Sequence, residues 1–249
     1  MRKLIVSDLD GTLLPYGQDA ISKETLALLD EALKRGITLA VSSGRTVEEL
    51  SALLPEWKKE VWLIGCDGAH YAKDGRDYYE KKISHEDLTF FQKQAGEDFS
   101  FVLHAAHKNF SVGKIPAEAA EFHAVPISGV DAVREKIFKV TSFGKRLRLP
   151  PYCGLRMHWD GGENGVAQYV NRFADKGTAL SDLQTRLMLT KFDTVCIGDS
   201  GNDVAMMHNA KHAVCIGHRS DALAAACDLH FERIEDALQA LLCRADCAL

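Results

Sequence analysis

Asp8 and Asp10 stand two residues apart in the run Asp8-Leu9-Asp10-Gly11-Thr12-Leu13, directly behind the apolar residues Leu4-Ile5-Val6. If that apolar run is a buried strand, both carboxylates emerge at its carboxyl end. Two like charges that close are unfavourable unless a shared proton or a cation neutralises them, and a divalent metal is the simplest remedy. Three further segments could complete a site: Ser42-Ser43-Gly44-Arg45, Lys176-Gly177 and Gly198-Asp199-Ser200-Gly201-Asn202-Asp203. Carboxylates hold a hard cation such as Mg²⁺ through oxygen, while Lys and Ser donors neutralise the remaining charge of a phosphate. The chemistry this set suits is phosphoryl transfer. One aspartate would attack phosphorus, and the other would give a proton to the leaving oxygen and later take one from water, by way of an aspartyl phosphate. Each segment alone says little, since Asp and Gly also favour turns; the combination carries the reading.

Positioning these residues requires a parallel sheet, because open α/β sheets place ligand sites outside the carboxyl ends of their strands. The first third of the chain alternates in that manner. Leu4 to Ser7 reads as a strand; Ser22 caps a helix with Leu26, Leu29 and Leu33 on one face, ended by Lys34-Arg35-Gly36; Ile37 to Val41 is a second strand. Thr46-Val47-Glu48-Glu49 has capping-box spacing and opens a helix that Pro55 closes, and Val61 to Ile64 is a third strand. The pattern then changes. A helix opened by Ser84-His85-Glu86-Asp87, a strand at Phe101-Val102-Leu103, a helical stretch near Asp131 to Lys136, and strands near Leu155 to Met157 and Val166 to Val170 suggest a separate module. After Lys176 the alternation resumes, with helices over Thr178 to Leu189, from Asn202, after Ser220 and near Glu235 to Leu242, and strands at Thr194 to Ile197 and Ala213 to Ile216. The expected architecture is α/β: a Rossmann-like parallel-sheet core with helices on both faces over residues 1–77 and 173–249, plus a smaller inserted α+β cap domain over residues 78–172.

Asp-Leu-Asp-Gly-Thr-Leu, Ser-Ser-Gly-Arg, Lys-Gly-Thr-Ala-Leu and Gly-Asp-Ser-Gly-Asn-Asp occur in the order and spacing of the haloacid-dehalogenase-like hydrolases, and the chain resembles them over its whole core. It is most similar to the Cof-type phosphatases and their sucrose-phosphatase-like relatives, in which an α/β cap is inserted between the second and third motifs. The resemblance implies Asp8 as nucleophile and Asp10 as general acid/base, with Lys176 bridging nucleophile and phosphate. It implies Mg²⁺ held by the Asp8 carboxylate, the Asp10 main-chain carbonyl and Asp199, supported from behind by Asp203. Ser43 and Asn202 would contact the phosphate, Leu9 and Gly44 belong to the same phosphate-binding loops, and Thr12 would fix the first of them. Arg45 either pairs with a core acid or reaches the substrate. The implied activity is a Mg²⁺-dependent phosphatase for a small phosphorylated metabolite, with sugar phosphates the leading class; a sugar phosphomutase and a non-catalytic sugar-phosphate sensor are the alternatives. One departure stands out: Cys66-Asp67-Gly68-Ala69 occupies the place where Cof-type sequences commonly have Asn-Gly-Ala, so Asp67 either meets a substrate hydroxyl or shapes the turn.

The 249 residues are 46% hydrophobic and 26% charged, a balance that allows a real core and excludes a disordered or fibrous chain. A net charge of −5 offers no broad footprint for nucleic acid. No apolar run approaches the roughly 20 residues that span a bilayer, and Met1-Arg2-Lys3 leads straight into a strand, unlike a signal peptide. A cytoplasmic protein, a monomer or weak homodimer, is therefore expected, with no nucleic-acid or membrane partner. The seven cysteines form no CxxC pair and read as reduced thiols, and Cys243 and Cys247 lack the neighbours of a zinc site. The ten histidines read as scattered side chains, not a metal centre. Lys139, Lys145, Arg146 and Arg148 read as a solvated face before a substrate contact, and Asp160 to Gly165 as a turn. Phe90, Phe91 and Trp159 read as cap core, and Met206-Met207 as packing beneath the fourth motif.

Overall fold

Leu4, Ile5 and Val6 form the centre of the strand β1 (Leu4–Asp8), buried along its whole length. Successive side chains of a strand point to opposite faces. Accordingly Ile5 joins one apolar cluster, with Leu29, Leu238 and Leu241, and Leu4 and Val6 join another, with Leu180, Leu183 and Met206. Both faces of the sheet are covered, as a parallel sheet requires. The computed structural model describes residues 3–54, 59–145, 147–160, 165–217 and 220–245.

From β1 the chain runs through α1 (Lys23–Lys34), β2 (Thr38–Ser42), α2 (Val47–Leu53), β3 (Trp62–Gly65) and a hairpin, β4 (His70–Lys73) and β5 (Arg76–Glu80). Ser22 caps α1 by accepting from the Thr25 amide at 3.0 Å, and Thr46 and Glu49 form the expected capping box on α2. Next come α3 (His85–Gln92), β6 (Phe99–Ala105), β7 (Asn109–Val112), β8 (Val125–Pro126), β9 (Ile137–Gly144), β10 (Leu155–Asp160) and β11 (Val166–Asn171). The chain returns through α4 (Lys176–Leu187), β12 (Thr194–Gly198), α5 (Val204–Met207), β13 (His212–Ile216), α6 (Asp221–Ala226), β14 (Leu229–Phe231) and α7 (Ile234–Ala245).

Among the described residues these strands make two sheets. The first has the order β14-β13-β12-β1-β2-β3-β4-β5, with β14 through β3 parallel and the hairpin antiparallel. The second has the order β10-β11-β9-β6-β7-β8 and is antiparallel except for the short β7/β8 pair. Its alternation puts Phe101, Leu103, Val140, Ala167 and Tyr169 in one apolar cluster with Phe91 of α3. The pleat therefore turns His104, Lys139, Thr141 and Gln168 to the opposite face. The smaller cluster of Cys66, Ala69, Phe138, Val170 and Ala174 joins the two sheets, with the Phe138 and His70 rings stacked 4.5 Å apart.

Some sequence expectations are corrected. The helix near Asp131 to Lys136 is only a 3₁₀ turn over Val130–Ala132, because its start is tied to α3 by the Val130 amide on Gln92 Oε1 (3.0 Å) and the chain must extend to enter β9 at Ile137. The helix expected from Asn202 is a 3₁₀ turn over Gly201–Asp203 followed by the four-residue α5. Position 77, the expected end of the first core segment, falls inside β5 of the first sheet. Pro55, Arg146, Gly161 to Asn164, His218 and Cys247 lie outside the described residues. Among the described residues no helix is long and apolar enough to cross a membrane.

Gly177 decides how closely α4 approaches α5: a Cβ there would lie 2.3 Å from the Ala205 carbonyl oxygen. Gly177→Ala should therefore lower stability by about 1–3 kcal/mol, the usual cost of overpacking, despite alanine's better helix propensity. Chemical denaturation checks this; a variant as stable as the parent would show that the contact relaxes freely.

Candidate active site

The parallel strands β1, β2 and β12 end along one edge of the first sheet, with Asp8 level with Ser42 and Ser7 level with Ile197. This edge collects Asp8, Ser43 and Asp199 from three distant parts of the chain. Lys176 arrives there on the first residue of α4, whose Asp175 cap accepts from the Thr178 amide at 2.7 Å. The Lys176 ammonium is fully buried and donates to Asp8 Oδ1 at 2.6 Å and to Asp203 Oδ1 at 2.7 Å. The second oxygen of Asp203 accepts from the Asp199 and Ser200 amides at 3.2 and 3.1 Å. Gly11, at φ +86°, is required by this closeness, since a Cβ would stand 2.3 Å from Asp199 Oδ2.

Asp8, Asp199 and Asp203 are all buried and can each present one oxygen within 4.8 Å of the others. Burial pushes the Asp8 carboxyl up to about 8, reinforced by Asp203 and Asp199 and opposed by Lys176. Burial acts to lower Lys176, but Asp8 and Asp203 outweigh it and keep the ammonium protonated. Two acids thus share one lysine, with Asp199 beside them. The donor set, buried carboxylate oxygens with an excess of negative charge, fits a hard divalent cation. Asp8 and Asp199 are the residues that could hold it directly. Asp203, with both oxygens already engaged, suits the supporting place expected of it.

Asp10 is turned the other way. Arg45 forks onto its carboxylate, with Nη2 to Oδ1 at 2.6 Å and Nε to Oδ2 at 2.9 Å. Ser43 Oγ lies 3.4 Å from Asp10 Oδ2 and accepts from the Arg45 amide at 3.1 Å. Any share Asp10 takes in holding a cation thus falls to its main chain. The Leu9 side chain is buried in the apolar core, which leaves only its main chain for contact with a phosphate. Thr12 is buried in the same loop, and its amide donates to Leu9 O at 3.1 Å. Asn202 donates to Asp67 Oδ1 at 3.4 Å and accepts from Ser200 Oγ at 2.6 Å.

A cleft of about 570 Å³ opens over these groups, within the roughly 300–1,000 Å³ usual for small-molecule sites. Asp8, Asp10, Ser43, Gly44, Arg45 and Asn202 line it from the first sheet. The second sheet supplies the other wall with His104, Lys139 and Gln168, beside Phe122 and His123. Lys139 corrects the reading of a solvated face: it is 7% exposed, donates to the Gly44 carbonyl at 2.9 Å and lies 3.2 Å from Asp67 Oδ2. A lone lysine inside the apolar run Ile137-Phe138-Lys139-Val140 was the available signal. Lys145 lines a different depression, with Glu97, Lys114 and Phe143. Tyr16, which sequence reasoning passed over, donates to Asp199 Oδ2 at 2.9 Å; nothing in its local sequence announces this. Asp67 sits at φ +54° in the turn after β3, and its carboxyl is lowered: burial opposes ionisation, but Lys139 and Lys176 outweigh it.

The chain belongs to the haloacid dehalogenase-like hydrolases, matching that family over residues 5–237. Among curated relatives it is 24% identical over 232 residues to the 5-amino-6-(5-phospho-D-ribitylamino)uracil phosphatase YcsE of Bacillus subtilis, covering 91% of this chain and 88% of the relative. The Escherichia coli phosphatase of the same name, YbjI, is 23% identical over 245 residues, covering 90% and 88%. In fold it is similar to the subclass IIB sugar phosphatase BT4131, with a TM-score of 0.76 at 18% identity over 98% of this chain and 99% of that one.

His104 is a buried residue of the cleft wall. Burial, helped by Lys139, holds its imidazole down at about 3 against an ordinary 6.5, while its nitrogens meet Asn109 Oδ1 (3.1 Å) and Thr141 Oγ1 (2.8 Å). Between those two values the unfolded chain binds the extra proton, so this group costs stability as pH falls. From pH 8 to pH 5 the loss should be about 2 kcal/mol, and His104→Asn should lack it. Urea melts of both proteins at the two pH values decide the matter; parallel losses would mean that His104 is not the buried neutral group described.

Proposed function

We propose that this protein is a Mg²⁺-dependent phosphatase that hydrolyses a small phosphorylated metabolite, most closely a sugar phosphate, through a phosphorylated Asp8. The observation that carries the proposal is the buried Asp8–Lys176–Asp203 cluster, with Asp199 beside it, at the base of a cleft that also holds Asp10. Membership of a hydrolase family and the phosphatase names of its relatives support the reaction class. A ribityl phosphate in the names of two relatives and a sugar phosphatase among similar folds support the substrate class.

In this reading Lys176 fixes one oxygen of Asp8, leaving the other to attack phosphorus in line with the leaving oxygen. Arg45 holds the Asp10 carboxyl in one orientation, from which it gives a proton to the departing alcohol and takes one from the water that cleaves the aspartyl phosphate. Ser43, Asn202 and the amides around Leu9 and Gly44 steady the phosphate oxygens. A bound Mg²⁺ supplies charge neutralisation between the acids and the phosphate. The second sheet, which lies within the expected cap of residues 78–172, serves to exclude bulk water and receive the alcohol half of the ester. A cytoplasmic monomer or weak homodimer remains the expected setting.

Asp8→Asn should cut phosphate release by at least about 10³-fold with the fold intact, as loss of a nucleophile does. Colorimetric phosphate assay over a panel of phosphorylated metabolites, with Mg²⁺ and with chelator, measures this and separates hydrolysis from isomerisation; full residual turnover would refute the nucleophilic role. Mg²⁺ binds the folded state, so at about 100 times its Kd it should add about 2.7 kcal/mol of stability, seen as a rise in Tm. Asp199→Asn should abolish that rise. An equal shift in the variant would place the ion elsewhere.

A further inference from the structure

Asp67 and Lys139 meet across the cleft, one from the turn after β3 and the other from β9 of the second sheet. Their charged atoms are 3.2 Å apart, with side chains only 17% and 7% exposed, so the pair is shielded from the solvent and salt that weaken surface pairs. Lys139 is also anchored on the Gly44 carbonyl, within the loop expected to grip phosphate. Among the described residues lining the cleft, Lys139 is the only lysine and Arg45 the only arginine. Arg45 is forked on Asp10, and Gln168 and the buried His104, beside Lys139 on its face of the sheet, bring hydrogen-bonding groups without charge. Glu49, on the opposite wall, adds another anion.

We infer that Asp67 is a specificity-determining residue: by neutralising Lys139 it leaves the wall facing the alcohol half of the ester without net positive charge, so the enzyme selects monophosphates of uncharged, hydroxyl-bearing alcohols and rejects esters carrying a second phosphate or a carboxylate. This rests on the phosphatase reading and adds the charge of the leaving group. A second anion would meet a Lys139 already matched by Asp67, and drawing the lysine away would leave a shielded carboxylate with only its Asn202 contact beside the new negative charge. The aspartate that departs from the commoner Asn-Gly-Ala pattern is thereby accounted for, since asparagine would hold the same left-handed turn but release the lysine.

The test is steady-state kinetics with Mg²⁺ on hexose monophosphates, a hexose bisphosphate and a phosphorylated hydroxy acid. The wild type should favour the uncharged-alcohol esters by roughly tenfold or more in kcat/KM. Asp67→Asn should narrow that ratio by roughly tenfold, mainly through a lower KM for the doubly anionic esters, and adding Lys139→Met should remove the gain. The wild-type profile needs no variant to fold, and the asparagine variant keeps the size and backbone preference of the original residue. A wild type that takes bisphosphates as readily as monophosphates overturns the inference and leaves the phosphatase reading standing. So does an unchanged ratio in Asp67→Asn, or a gain that survives Lys139→Met. A protein that releases phosphate from none of these esters loses both.

Discussion

The Lys176 ammonium, held between Asp8 and Asp203 at 2.6 and 2.7 Å with almost no exposure, binds together parts of the chain as much as 168 residues apart. A buried charge is costly unless paired and hydrogen-bonded, and removing one partner leaves the others stranded. The fold must therefore bring β1, the start of α4 and the turn after β12 to the same point with little latitude. Much of the surrounding detail answers to that demand. Gly177 lets α4 settle against α5, Gly11 makes room for Asp199, and the amides of Asp199 and Ser200 satisfy the second oxygen of Asp203. With one ammonium among three carboxylates, the cluster also retains an excess of negative charge that suits a divalent cation.

The first sheet carries the acidic cluster, and the second forms the opposite wall of the cleft. Parallel order places the acids and Ser43 along one edge, because strands running the same way end on the same side. The second sheet buries its aromatic face against α3 and turns its other face, with His104, Lys139 and Gln168, toward that edge. Contact between the sheets is varied in kind and includes the stacked rings of His70 and Phe138, a small apolar cluster, and the ion pair of Asp67 with Lys139. The alcohol half of a substrate would lie between a charged floor and a wall whose one lysine is already matched.

Legibility in the sequence followed locality. The strands β1, β2, β3, β12 and β13, the Ser22 cap and the Thr46–Glu49 capping box were readable because each depends on residues a few positions apart, whereas the β4–β5 hairpin and β14 were not anticipated. The burial of Phe91, Met206 and Met207 was readable from their apolar character. The stretch from Asp131 to Lys136 misled because its composition tolerates helix, while its attachment to Gln92 and the nearby start of β9 leave no length for one. Lys139 misled because a lysine among other cations normally marks solvent, yet the strand pleat turns it inward onto Gly44 and Asp67.

By itself the sequence determined the family, the parallel core and the identities of the acids and the lysine, since spacing after apolar strands and the choice of Asp, Lys and Gly are properties of short segments. Tertiary structure alone decided that Arg45 grips Asp10, that Tyr16 reaches Asp199, and that Asp67 is matched by a lysine from the other sheet. Those pairings depend on how segments distant in sequence are set against each other, and the last of them on how the two sheets meet. No pattern along one strand or one turn records that distance.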